Sequence, residues 1–514
     1  MDKVDKLYQY YDILADPKCN TAEHESKYLE IVNATKGAAS EKMLACQFIP
    51  RFLKEFPHMA ESALDAVLDL VEDDDVAIRK HAVKHLPSFC KYSKNFVSKV
   101  ADILAQMLQT EDSSEVATVQ ASLMTILKLD VKSTLQGIFI QISQTEDELI
   151  RKRTIQFLCT KFKFLPPELA TKEIEEFVLE ACKKAFPTIS GEDFLTLLPL
   201  LSNLKIAKTI PVQQILVQLI AEQAEIDEEF QASPDNVAGF LQCVRHALPY
   251  FSPFVNSVQF VNHICIVVLP KLKEISEFEN GEEMSLDIIK VLAEISPFVS
   301  EDEHLKACIE IIYKILLEYI PLPPAADIEN GSSTDEPNLQ FTHIECFLFI
   351  FTQLLKFYPE FLTSAENSQL FKDLKARLQF LARGVQSGIK TFRESLITNK
   401  TKEAKPEETK LKAIALRTMN NINTLIKDLF RSPPTFKTTV TLSWKPVTAA
   451  TTKLTSEKRE IEAPASQDKK PRRDTKAGRE LYSPPGGKYS TNVNSYPRTR
   501  GSNYYPRGRG RRYY

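Results

Sequence analysis

The chain has 514 residues, 43% of them hydrophobic and 26% charged, with a formal net charge of −3. That length and apolar share can bury a large core in two or three structural units, which excludes a chain that is disordered throughout. The charge is uneven: from Thr441 onward about 17 Lys plus Arg face about 6 Asp plus Glu, leaving roughly −14 for the body, so affinity for polyanions is expected in the tail.

The opening residues, MDKVDKLYQYYDILAD, hold no basic region followed by an apolar run, so no secretory signal is expected. The longest apolar stretch, around Cys346 to Phe351, falls far short of the ~20 residues that cross a bilayer. Nine cysteines are scattered singly without a CxxC, the pattern of buried free thiols in a reducing compartment. Together these features point to a soluble intracellular protein without membrane contact. Only Gly37, Gly137, Gly191, Gly239, Gly281, Gly331, Gly384 and Gly388 precede the tail. Phosphate-cradling loops need glycine, so a doubly wound nucleotide enzyme is not expected.

Along the chain, acceptor side chains suited to a helix N-cap recur at Ser40, Asp75, Asp112 and Asp147, each followed by an apolar helix. A second pattern keeps the same register: Lys42, Ala45 and Ile49; Arg79, Ala82 and Leu86; Arg151, Thr154 and Leu158; and a degenerate copy at Val116, Val119 and Leu123. The small residue lets neighbouring helices approach, and the large one fills the groove. The cap aspartates are expected to pair with the basic residue of an adjacent repeat. This D-x-x-x-R-x-x-A pattern resembles HEAT repeats, which stack because one helix pair cannot bury its own apolar face. An ordinary helical bundle is the alternative. Helical spacing continues at Val97 to Leu108 and at Ile215 to Ile220, and the Leu305 to Leu316 segment has a wider apolar face. The repeat fades after Pro199, which places a boundary near 206/207.

Two interruptions, residues 321–338 (PLPPAADIENGSSTDEPN) and 399–410 (NKTKEAKPEETK), read as exposed loops. Between them Phe371, Leu378, Val385 and Phe392 form a heptad helix face, either a zipper or an intramolecular packing surface. The best strand candidate is the short segment from Thr438 to Trp444. Leu104, Met107 and Leu108 form an LxxLL-like candidate for partner binding, with ordinary solenoid core as the alternative.

No catalytic or metal site emerges. His263-x-Cys265 and His343-x-x-Cys346 supply two ligands each where a structural zinc needs four, and His81 and His85 read as surface residues one helical turn apart. No cofactor is expected. After Trp444 the chain becomes too polar to fold alone. There Lys469, Lys470, Arg472 and Arg473, with Lys458 and Arg459 upstream, make a basic cluster of the kind importin grooves bind, hence a nuclear localisation signal. Farther on, Arg498, Arg500, Arg507, Arg509, Arg511 and Arg512 are interleaved with Tyr504 and Tyr505, a combination suited to RNA contact.

QFIPRFLKEFP (47–57), the segment 68–79, EYIPLPP (318–324), RLQFLARG (377–384), NNINTLIKDLF (420–430) and TVTLSWKP (439–446) together resemble the apoptosis inhibitor 5 family, also called anti-apoptotic clone 11. The resemblance implies a HEAT-like first half, an armadillo-like second half and a nuclear protein that suppresses apoptosis through protein contacts. Implied partners are the apoptotic chromatin factor acinus and a nuclear fibroblast growth factor. The family's LxxLL motif falls on Leu104 to Leu108, with Met107 in place of a leucine. Its zipper falls on Phe371, Leu378, Val385 and Phe392, and its acetylated lysine corresponds to Pro253.

The expected fold is therefore an all-α, right-handed superhelical solenoid of antiparallel helix pairs. It divides into HEAT-like repeats at 1–206, armadillo-like repeats at 207–447 and a disordered basic tail at 448–514. The expected role is a monomeric, non-enzymatic nuclear scaffold, with a fraction in the cytoplasm. The alternative is an RNA-associated adaptor in splicing or messenger export. An importin-like carrier would need a ladder of tryptophans, and Trp444 is the only one.

Overall fold

The computed structural model describes residues 3–16, 21–320, 322, 339–364, 367–398, 406–431, 434, 436 and 440–446. The basic tail lies outside them, as does the 321–338 loop apart from Leu322. Among the described residues no strand forms, and the only β pairing is an isolated bridge between Ser252 and Val255.

The first half is built from α1 (Lys3–Ala15), α2 (Glu25–Asn33), α3 (Ala39–Phe52), α4 (Ala60–Leu68), α5 (Val76–Tyr92), α6 (Asn95–Gln106), α7 (Ser113–Leu129), α8 (Val131–Gln144), α9 (Glu148–Lys161), α10 (Lys172–Ala185) and α11 (Gly191–Ser202). Most of these helices pack both on a sequence neighbour and on the helix two places along, as α3 does on α5, α5 on α7, α6 on α8 and α9 on α11, which is the signature of a stack of antiparallel pairs. Helices α3, α5, α7, α9 and α11 make one layer; α4, α6, α8 and α10 make the other.

The second half continues with α12 (Ile210–Gln223), α13 (Pro234–Ala247), α14 (Val258–His263), a π turn (Ile264–Val268), α15 (Leu272–Ser276), α16 (Gly281–Ile295), α17 (Leu305–Tyr319), α18 (Phe341–Leu354), α19 (Glu360–Thr363), α20 (Ser368–Thr398) and α21 (Pro406–Phe430). Helices α13, α16, α18 and α21 extend a layer by consecutive packing, and α20 closes the stack against α21. Met1–Pro446 is one compact unit.

Three of the four expected caps are made. The Asp75 and Asp112 carboxylates accept from the amides of Ala77 at 2.8 Å and Glu115 at 2.7 Å. Asp147 accepts from Leu149 at 2.8 Å. Each offsets an amide that would otherwise lack a partner in the first turn, worth about 1 kcal/mol. Ser40 is a correction. The extended Ala38 occupies the cap position of α3, so Ser40 is already inside the first turn. The small and large residues of the repeat are where the pattern requires them: Ala45, Ile49, Ala82, Leu86, Thr154 and Leu158 are all buried.

Lys42 and Arg79 do reach the next repeat, but not its cap aspartate, whereas Arg151 turns back to the Thr145 carbonyl of its own repeat. Lys42 Nζ lies 2.5 Å from Asp73. The Arg79 guanidinium donates through Nε and Nη2 to Glu115 at 2.8 and 2.9 Å. The cap oxygens are already engaged by helix amides, so the neighbouring carboxylates take the cation. Glu115 is 1% exposed, and the Arg79 hydrogen bonds hold its carboxyl below the usual range against the opposing effect of burial. Truncating either partner would leave the other charge stranded.

His81 and His85 also depart from expectation. They are half-buried with ring centroids 4.8 Å apart. Burial, then the adjacent His81 and Lys84, pull His85 down to about 4, so this pair is neutral packing material rather than surface. The expected strand at Thr438 to Trp444 is likewise absent from its described part. Residues 440–446 form a strap that turns at Leu442–Lys445, where Lys445 N donates to the Leu442 carbonyl at 3.0 Å, and it is held by side chains instead of a ladder.

Candidate partner-binding surface

The residues singled out from sequence separate into buried and undescribed groups. Leu104 and Leu108 are 0% and 1% exposed, and Met107 is half-buried against the same core. Their side chains fill the interior at the end of α6. In the heptad face, Leu378 and Val385 are buried, while Phe371 and Phe392 pack half-buried against the core. That face is used within the chain, where α20 meets α21. Helix α20 is also tied to α17: Tyr313 donates its hydroxyl proton to the Leu370 carbonyl at 3.0 Å, and Arg377 donates to the carbonyls of Leu317 and Ile320, both at 3.1 Å. Pro253 lies in the exposed turn that carries Phe254, itself 70% exposed. The localisation residues Lys458, Arg459, Lys469, Lys470, Arg472 and Arg473, and the Arg/Tyr residues 498–512, lie outside the described residues.

The helix layer opens at two places. Packing is close from α3 through α7, between α9 and α11, and from α13 onward, but it is open between α7 and α9 and between α11 and α13. The first opening coincides with the degenerate repeat, in which Val116 stands where Lys42, Arg79 and Arg151 stand in the others. At that position α7 therefore has no cation of the kind that joins Lys42 to Asp73 and Arg79 to Glu115. Here lies a cleft of about 460 Å³ lined by the apolar Val116 and Phe157 and by Thr110, Gln120, Arg153 and Gln156. Arg153 is held in place by donating to the carbonyls of Leu108 at 2.8 Å and Thr110 at 2.6 Å.

The second opening is a cleft of about 550 Å³ lined by Gly191, Glu192, Leu195, Gln223, Gly239 and Gln242. Through Gln223 and Gly239 it adjoins a smaller hollow of about 180 Å³ that carries Glu225, Glu229, Asp235 and Phe230. Gly239 is open to added bulk, since a Cβ there would meet nothing within 4 Å. Both clefts combine carboxamides, which donate and accept, with apolar side chains. That chemistry fits the main chain and side chains of a polypeptide, and the second cleft adds negative charge. Among the described residues no three His, Cys, Asp or Glu side chains converge as a metal site would require.

Two features escaped the reading of the sequence. The strap at 440–446 is docked on α16, α18 and α21 through the fully buried Glu345. This carboxylate accepts from Ser443 N at 3.0 Å, Ser443 Oγ at 2.6 Å and Asn421 Nδ2 at 2.6 Å. Trp444 donates through Nε1 to Glu294 at 2.7 Å. Arg417 donates to the carbonyls of Ser443 and Lys445 at 3.3 and 2.6 Å. No local spacing connects residues about a hundred positions apart. The second feature is a basic pole at α20 and α21, which an average over the body concealed.

The family profile described as Apoptosis inhibitory protein 5 (API5) matches residues 4–514. Apoptosis inhibitor 5 of Gallus gallus is 46% identical over 503 residues, spanning 96% of this chain and 95% of that protein. Apoptosis inhibitor 5 of Homo sapiens is 45% identical over 503 residues, spanning 96% and 94%. Among solved structures, the C-terminal fragment of the Chaetomium thermophilum cohesin loader SCC2 aligns at a TM-score of 0.30 and 11% identity, covering 79% of this chain and 27% of that one.

Proposed function

The chain belongs to the apoptosis inhibitory protein 5 family, and from that premise we propose that it restrains apoptosis as a non-catalytic nuclear scaffold that binds other proteins along its solenoid. The observation that carries this reading is the pair of clefts where the helix layer opens, each lined by side chains suited to polypeptide rather than to a reacting small molecule. An acinus-like chromatin factor and a nuclear fibroblast growth factor are the proposed partners, and the acidic hollow beside α13 suits a basic segment of either. The cluster Lys469 to Arg473 serves as the importin address, and the scaffold works as a monomer whose heptad face is taken up internally.

The test is capture of those two proteins from nuclease-treated nuclear extract by the full chain, read by immunoblot. A charge-reversed variant (Glu225→Lys, Glu229→Lys, Asp235→Lys) and a cleft-filled variant (Gln120→Trp, Gln156→Trp) are compared with the unaltered chain. At least one variant is expected to lose about tenfold in capture, the ~1.4 kcal/mol scale of one well-placed contact set. Equal capture by all three chains overturns the cleft assignment. A second reading, an RNA-associated adaptor acting through the Arg/Tyr tail, is favoured instead if nuclease treatment or deletion of residues 495–514 abolishes capture.

A further inference from the structure

We propose that the hairpin of α20 and α21 is a docking surface for the phosphate backbone of single-stranded RNA, separate from the tail. Residues 368–431 hold 14 Lys plus Arg against 6 Asp plus Glu, a net charge of +8, whereas residues 1–367 carry −23. The solenoid is therefore strongly polar in charge, acidic for most of its length and basic in its last helix pair. On this net balance a polyanion is repelled by the acidic part of the chain and drawn to that end.

The two helices meet closely because Gly388 sits against Met419, where an added Cβ would come within 3.2 Å of the sulfur. This close approach puts cations from both helices along one groove of about 500 Å³. Lys390 and Arg393 come from α20 and Lys427 from α21, with Asn420 and Asn423 between them; all three cations are exposed. Glu394 is the one carboxylate in that lining. These cations are distinct from the arginines that anchor the hairpin to its neighbours. Arg377 is occupied by Asp373 at 2.9 Å and by carbonyls of α17, and Arg417 by the strap.

A groove with spaced cations tracks a phosphate chain, and carboxamides that donate and accept can meet base edges and the 2′-hydroxyl. An acidic peptide offers the carboxylates but not the regular phosphate spacing or the hydroxyls. The chain then runs through the anchored strap into a tail with a net +11 from Thr441 onward, so a second RNA-contacting element follows directly in sequence.

The experiment is fluorescence anisotropy of the full chain with a labelled single-stranded oligoribonucleotide of about 20 nucleotides, titrated across a range of salt. The variant Lys390→Gln, Arg393→Gln, Lys427→Gln keeps exposed polar groups at each site. A charge-reversed set, K390E, R393E and K427E, provides the larger perturbation, and unchanged thermal melting of both confirms an intact fold. With about 0.7 counterions released per phosphate contact, the Gln variant is expected to lower the log–log salt slope by about 2 and weaken binding about tenfold or more, with a further loss on charge reversal. Unchanged affinity and slope in both variants overturns the proposal and leaves RNA contact to the tail. Competition by poly-glutamate as effective, charge for charge, as competition by RNA also overturns it, in favour of an acidic protein segment.

Discussion

Replacing Gly137 with alanine is expected to lower the stability of the folded chain by about 2 kcal/mol or more, although the same substitution in an open helix would raise it by ~1 kcal/mol. Gly137 lies in α8 where it crosses α6. An alanine Cβ there would fall 2.3 Å from the Ser98 carbonyl oxygen, 2.7 Å from Ala101 Cβ and 2.8 Å from the Asp102 amide nitrogen. Two of those three atoms are backbone, so no rotamer change relieves the overlap and the two layers of the stack must separate. Gly239→Ala is the control, because its Cβ meets nothing and it should be neutral or slightly stabilising. Urea unfolding of the two variants checks both signs, and a Gly137→Ala chain as stable as the Gly239→Ala chain contradicts the packing argument.

Ending the chain at Arg431 instead of Pro446 is expected to cost about 3–5 kcal/mol, from lost burial of Leu442 together with the penalty of stranding a buried carboxylate. Without the strap, Glu345 loses Ser443 N and Oγ and keeps only Asn421. In the intact chain burial pushes the Glu345 carboxyl upward, and these donors pull it partly back. The folded state therefore holds this proton at a pH where the unfolded state has released it. Stability from this group is fully present below the ordinary carboxyl range and is lost as pH rises through the shifted value. The shortened chain lacks the donors that lower the shift, so its loss should continue to higher pH. Thermal melting of both chains from mildly acidic to neutral pH checks this, and coincident curves contradict it.

The fold was legible where it is local. The caps at Asp75, Asp112 and Asp147 and the Ala45, Ala82 and Thr154 register follow from helix geometry within one repeat, so the chain order alone carries them. The cap at Ser40 failed because the side chain that could cap lies two residues beyond the residue whose backbone turns. The strap read as a strand because its β-branched residues suit a strand, but Leu442 to Lys445 close a turn and no neighbouring strand exists among the described residues. Its true partner, Glu345, lies far away in sequence. Leu104 and Leu108 match a docking motif and a core stripe equally well, since both need the same helical spacing, and only burial separates them. The first cleft was present in the sequence as Val116, the position where a repeating cation drops out. That this cation bridges adjacent repeats, as Lys42 and Arg79 do, is visible only in the fold.

The account stands most directly on whether the solenoid surface, rather than the tail alone, restrains cell death. In cells depleted of the native protein and then stressed, caspase activation is measured after re-expression of the unaltered chain, the charge-reversed and cleft-filled variants, and a chain ending at Pro446 fused to an independent nuclear signal. The account expects the chain ending at Pro446 to restore protection and the variant that lost partner capture to fail while remaining folded and nuclear. Full protection by both cleft variants, with none from the chain ending at Pro446, contradicts it.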